Sequence, residues 1–210
     1  MTLGGELPAS SSLRDAFDTQ SGVPAERSSC LHSLKGVIVR PHRVVTLGWI
    51  AELSTLAAMT TPDEGSEAPD IALPDQHDTV VRLADLRGRH VLVYFYPRAD
   101  TPGCTTQACG LRDVADRIGD TVIVGISPDT PAKLRRFDDK YGLGFTLLSD
   151  IDHAVAEAYG VWVEKKNYGK TYMGVQRSAF LVGADGRIER AWPTISPKDT
   201  PTKLLEALGR

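Results

Sequence analysis

The stretch Tyr94-Phe-Tyr-Pro-Arg-Ala-Asp-Thr-Pro-Gly-Cys-Thr-Thr-Gln-Ala-Cys109 joins two different backbone patterns. On its N-terminal side, His90-Val-Leu-Val-Tyr-Phe-Tyr96 is a short run of β-branched, apolar and aromatic residues, which predicts a buried strand. On its C-terminal side, Cys104 to Ile118 has helical spacing, with Ala108, Leu111, Ala115 and Ile118 on one face. Thr101-Pro102-Gly103 between them is a helix start: a hydroxyl residue at the N-cap, then proline at the first helical position. A strand, a short loop and a helix in that order belong to an open α/β sheet, whose chemistry collects at the carboxyl ends of strands. Cys104 falls in the first helical turn, at that edge.

The first turn of a helix presents unpaired N–H groups and a partial positive charge, and both favour a thiolate over a thiol. A free cysteine titrates near pH ~8.5, so little of it is ionised at neutral pH. Lowering that value to about 6 requires roughly 3.4 kcal/mol of preferential stabilisation of the anion. A helix terminus supplies about 0.3–2 kcal/mol. The remainder calls for a cation. Arg98 is near in sequence but sits in the strand-to-helix loop. Arg177 opens the run Arg177-Ser-Ala-Phe-Leu-Val182, a strand able to lie beside Val91–Tyr96, and is the better candidate.

Pro97-x-x-x-Thr101-x-x-Cys104 resembles the active-site signature of peroxiredoxins, and the fuller string through Cys109 is similar to the peroxiredoxin Q branch, also called bacterioferritin comigratory protein. The resemblance continues through Phe145-Thr-Leu-Leu-Ser-Asp150, Tyr159-Gly-Val-Trp162, Gly169-Lys-Thr-Tyr172 and Arg177-Ser-Ala-Phe-Leu181, and so covers nearly everything from Glu64 onward. It implies a thioredoxin-like α/β fold, a central mixed sheet flanked by helices. It also implies a thiol peroxidase acting on hydrogen peroxide and organic hydroperoxides, recycled by thioredoxin or a similar dithiol. Carried onto this chain, Cys104 is the attacking thiolate and Thr101 a hydroxyl that hydrogen-bonds its sulfur and the peroxide. Arg177 holds thiolate and peroxide, and Pro97 keeps water off the sulfur. Cys109 stands five residues beyond Cys104, the spacing of the resolving cysteine in many members of that branch.

Other readings of the cysteines are a general thiol–disulfide oxidoreductase, a redox-sensing or holdase switch, and small core residues on an amphipathic helix. The first is weakened because the cysteines are not spaced as C-x-x-C.

The whole chain has 210 residues, 41% of them hydrophobic, which suits one substantial domain and a tail. A net charge of −3 gives no basic patch for nucleic acid or membrane headgroups. Three cysteines do not make a disulfide framework, and reactive thiols point to a reducing, cytoplasmic setting. The expected form is a monomer or weak homodimer.

Residues 1–58 are polar and irregular and are expected to be a disordered extension ending in an amphipathic helix over Val44–Met59. That apolar segment is too short for a membrane span and carries Glu52. The acidic residues Glu6, Asp15, Asp18 and Glu26 argue against a transit peptide. Residues 59–210 are the expected peroxiredoxin domain, and Cys30 lies outside it.

Within that domain, Ala68–Asp75 and Val80–Leu83 predict a hairpin, followed by a turn at Leu86-Arg-Gly88. Thr121–Ile126 predicts a strand, Pro131 opens a helix with Leu134 and Phe137 inward, and Phe145–Leu148 is a brief strand. Ile151–Tyr159 reads as a short helix, with Asp150 and Asp152 as capping residues. Trp162–Met173 lacks any period and reads as a loop, which the resemblance puts near the site mouth. A hairpin turning at Asp185-Gly186 and a closing helix over Lys198–Leu208 complete the order. The five histidines are scattered and none sits at metal-ligand spacing with a cysteine, so no metal is expected, and the lack of a Walker-type loop or other cofactor motif gives no expectation of an organic cofactor.

Overall fold

The computed structural model describes residues 60–167 and 169–210, so the extension expected over residues 1–58 and its terminal helix lie outside the described residues. The strands are β1 (Ala72–Pro74), β2 (Val80–Arg82), β3 (Val91–Phe95), β4 (Val122–Ser127), β5 (Thr146–Ser149), β6 (Trp162–Asn167), β7 (Lys170–Val175), β8 (Ser178–Val182) and β9 (Ile188–Trp192). The helices are α1 (Pro102–Asp113), α2 (Pro131–Tyr141), α3 (Ala154–Ala158) and α4 (Thr200–Ala207). Five strands form a mixed sheet in the order β5-β4-β3-β8-β9. β3, β4 and β5 run parallel, while β8 is antiparallel to β3 and β9 to β8. This is the thioredoxin-like sandwich the sequence implied.

The unbroken apolar run of β3 follows from its central place, because both of its faces are covered. Leu92, Tyr94 and Tyr96 enter one core layer with Cys104, Ala108 and Leu111 of α1, Leu134 and Phe137 of α2, and Leu204 of α4. Val91, Val93 and Phe95 enter the opposite layer with Val155 and Ala156 of α3, Tyr159 and Phe180. Each large apolar side chain buried this way contributes about 1.5–3 kcal/mol.

Three expectations need correction. Leu83, expected to end the hairpin, instead opens a 3₁₀ turn over Leu83–Leu86, which leads into the expected turn at Gly88. α1 stops at Asp113, and a short 3₁₀ segment over Ala115–Arg117 follows. The break rotates the face, so Ala115 is exposed while Ile118 returns to the core. Trp162–Met173 belongs to an antiparallel hairpin of β6 and β7, not a loop. Most of β7 is exposed, so no burial on one face imposed the alternation by which a strand is recognised.

Gly125 on β4 is fixed by its neighbour. A Cβ there would stand 2.7 Å from the Tyr94 ring and hydroxyl, on the strand paired with it. Gly125→Ala should therefore destabilise the fold by about 1–3 kcal/mol through overpacking. Urea unfolding reads this directly, and an unchanged midpoint would show that the Tyr94 ring is free to move aside.

Candidate active site

The register of the sheet assembles the site. β3 ends at Phe95, which pairs with Ser178, the first residue of antiparallel β8. The carboxyl end of β3 and the beginning of β8 therefore reach the same edge. The first delivers the loop into α1 and the second delivers Arg177.

Thr101 is the N-cap of α1, with an extended backbone, and Pro102 follows at the first helical position. Cys104 lies in the first turn and is 1% exposed. Arg177 Nη2 donates to Cys104 Sγ at 3.2 Å. The expected strand adjacency and the cation at the sulfur are both present. Arg98, by contrast, is exposed on the loop.

Gln107 is a candidate site residue that sequence reasoning passed over, although it stands inside the quoted motif. It is completely buried, and its Oε1 accepts a hydrogen bond from Arg177 Nη1. Its Nε2 donates to Thr200 Oγ1 at 2.9 Å, and that hydroxyl donates to the Ser196 carbonyl at 3.0 Å. The chain of bonds aims the guanidinium at the sulfur. The available signal was a polar side chain at helical spacing from Cys104, on the face with Ala108 and Leu111.

The hairpin adds a second cation. Lys165 on β6 donates from Nζ to the Val175 carbonyl at 2.7 Å, two residues before Arg177. Burial and the Arg177 charge hold its ammonium below the usual lysine range, with Cys104 acting in the opposite sense. The hairpin thus stands beside the site. Beneath it, burial pushes the phenols of Tyr94 and Tyr96 well above the ordinary tyrosine range, so both remain neutral. Their rings stack with centroids 5.5 Å apart.

The loop before Cys104 is tied down on its outer side. Ala99 N donates to Asp129 Oδ2 at 2.6 Å, and Asp129 is ion-paired with Lys133. Asp100 has a left-handed backbone (φ +59°) and accepts from Lys140 Nζ and from the Tyr141 hydroxyl. Those two donors hold its carboxyl below the usual range. The Thr101 hydroxyl donates to the Arg98 carbonyl at 3.0 Å, so its proton is turned to the loop in this structure rather than to the sulfur. Pro97 is exposed at the end of β3.

Cys109 is half-buried on the same unbroken helix, and both thiols are free. Asp150 and Asp152 are capping residues as expected. Asp150 accepts from the Val155 and Ala156 amides and Asp152 from Ala154, all at the start of α3.

The AhpC/TSA family profile matches residues 65–191. Peroxiredoxin Bcp of Bacillus subtilis (strain 168) is 43% identical over 150 residues, covering 70% of this chain and 96% of that protein. Peroxiredoxin Bcp of Escherichia coli (strain K12) is 55% identical over 130 residues, 61% of this chain and 83% of that protein. Among solved structures, the bacterioferritin comigratory protein of Xanthomonas campestris, described with alkyl peroxide reduction activity, superposes with a TM-score of 0.65 at 31% identity, over 70% of this chain and 98% of that one. Peroxidoxin BcpB of Mycobacterium tuberculosis gives 0.63 at 34% identity, over 70% and 97%. The chain belongs to the AhpC/TSA family, in its peroxiredoxin Q (Bcp) branch, a group of thiol-dependent peroxidases.

Proposed function

We propose that this chain reduces hydrogen peroxide and organic hydroperoxides at Cys104, closes a Cys104–Cys109 disulfide, and is returned to the dithiol by thioredoxin or a similar donor. The observation that carries this reading is the Arg177 guanidinium 3.2 Å from a buried thiol in the first turn of a helix. The Cys104 thiolate attacks one peroxide oxygen and the O–O bond breaks. The departing alkoxide takes a proton, and the sulfur becomes a sulfenic acid. Arg177 stabilises the charge developing on the departing oxygen. In this scheme the Thr101 hydroxyl turns to the peroxide and Pro97 shields the sulfur. Cys109 then attacks the sulfenic sulfur, releasing water and forming the disulfide. Sulfur chemistry alone carries every step. A reducing cytoplasm, which supplies dithiol donors, is the fitting compartment, and a monomer or weak homodimer is the fitting form.

Stopped-flow peroxide consumption, followed by turnover with a thioredoxin system, tests the proposal. Fast stoichiometric oxidation and sustained turnover are expected. Disulfide exchange without peroxide consumption would instead make the chain a thiol–disulfide oxidoreductase.

The helix geometry adds a conformational requirement. Five residues of α-helix separate the two Cα atoms by roughly 8–9 Å, whereas a disulfide tolerates less than about 7 Å. α1 is continuous through both cysteines, so its first turns must unwind before the bond closes. Amide exchange over Thr105–Leu111 should be slow in the reduced form and fast in the disulfide form. Equal protection in both states would rule out unwinding. Cys109→Ser should still consume one equivalent of peroxide and then stall as the sulfenic acid in the presence of thioredoxin. Full turnover in that variant would place the resolving thiol elsewhere.

A further inference from the structure

The segment that must unwind is fastened at both ends to one residue. Tyr141 closes α2, and its hydroxyl donates to Asp100 Oδ1 at 2.7 Å. Its carbonyl accepts from Arg112 Nη1, and Arg112 also grips Asp113 Oδ1 through Nε and Nη2. That carbonyl is one of the orphan acceptors at a helix C-terminus, for which an arginine is a suitable partner. Asp100 immediately precedes the N-cap of α1, and Arg112 is its penultimate residue. Both cysteines lie between the two attachments. Tyr141 is itself anchored by edge-on packing against Phe137, which lies under Tyr96.

The N-terminal attachment is the stronger candidate for a regulating one. Lys140 Nζ reaches both Asp100 oxygens, at 2.8 and 3.0 Å, alongside the tyrosine hydroxyl. Asp100 holds a left-handed backbone that an L-residue adopts at some cost, which a surrounding set of bonds must offset. Releasing the side chain therefore removes a restraint on the very residue from which the helix begins. The far end stays fixed through Arg112, so the freedom gained falls on the turns that carry Cys104.

We propose that Asp100, held by Lys140 and Tyr141, is a positioning residue: a latch that keeps the first turn of α1 wound for peroxide attack and sets how readily it yields to disulfide formation. The proposal rests on the Cys104–Cys109 resolution given above. With the latch intact, the wound turn keeps Cys104 against Arg177, the arrangement that attacks peroxide. With it released, the chain spends more time unwound, where Cys104 and Cys109 can meet. Attack and resolution should change in opposite directions.

The test leaves Asp100 and its backbone untouched and removes its two holders, in the variant Lys140→Met/Tyr141→Phe. Single-turnover peroxide reduction should slow by about threefold to tenfold, and the following disulfide step should quicken by a similar factor. Amide exchange over 102–106 in the reduced protein should quicken too. Less sulfinic acid should accumulate under excess peroxide, because the sulfenic acid is captured sooner. Lys140→Arg in the Tyr141→Phe background should recover part of the attack rate. High salt should weaken the latch in the parent chain and leave the double variant unmoved, since the ion pair is exposed. Unchanged attack and exchange rates, or a slower disulfide step, would overturn the latch. The same double variant made on Cys109→Ser separates the two ideas. There, attack rate and reduced-state exchange report on the latch with no disulfide in play, and their constancy would overturn it even if the resolution scheme stands.

Discussion

Cys104→Ser should abolish peroxide consumption, lowering the rate by about a thousandfold or more. The substitution exchanges sulfur for oxygen at a site that is 1% exposed, so the fold and the Arg177 position should survive. An alcohol is barely ionised at neutral pH and forms no sulfenic acid, so neither the nucleophile nor the intermediate remains. The reading is stoichiometric peroxide loss in a single turnover, with circular dichroism to confirm folding. Substantial activity in a folded variant would move the chemistry to another residue.

Arg177→Met should slow peroxide attack by about a hundredfold. Two effects add. The guanidinium donates to Sγ at 3.2 Å and so holds the nucleophile, and in the proposed scheme it also stabilises the charge that develops on the departing oxygen. Its loss strands Gln107 Oε1, a buried acceptor, which costs about 1–3 kcal/mol of stability in addition. Arg98→Met is the matched control, because it removes an exposed cation from the same loop. Equal effects of the two substitutions on the attack rate would remove Arg177 from its role.

The geometry of the candidate site was largely legible in the sequence, for reasons that differ from residue to residue. Pro102 at the first helical position marked the helix start, although the Thr101 hydroxyl makes no capping bond, so the place of Cys104 in the first turn followed without tertiary knowledge. Arg177 was found by asking what the helix terminus could not supply, and the β3–β8 pairing provided it. Gln107 escaped because its importance lies in partners far along the chain, Arg177 and Thr200, which no local pattern announces. Lys165 escaped for a related reason. Its strand alternates partly buried and exposed positions over Val163–Lys166, but one of the inward positions is the lysine itself, so no apolar alternation marked it. The overrun of α1 to Ile118 has a different origin. The apolar spacing continued past Asp113, while the backbone inserted a tighter turn that kept Ile118 inward and turned Ala115 out.

The pairing of β3 with β8 also sets when the thiol becomes dangerous. Arg177 lies 73 residues downstream of Cys104. Chains are made from the N-terminus, and domains fold as units once enough has emerged. A nascent chain that has released the cysteine loop but not yet β8 has a helix start and no guanidinium. On the proposed role of Arg177, Cys104 should behave during synthesis as an ordinary thiol. On that proposal, only a finished sheet arms it.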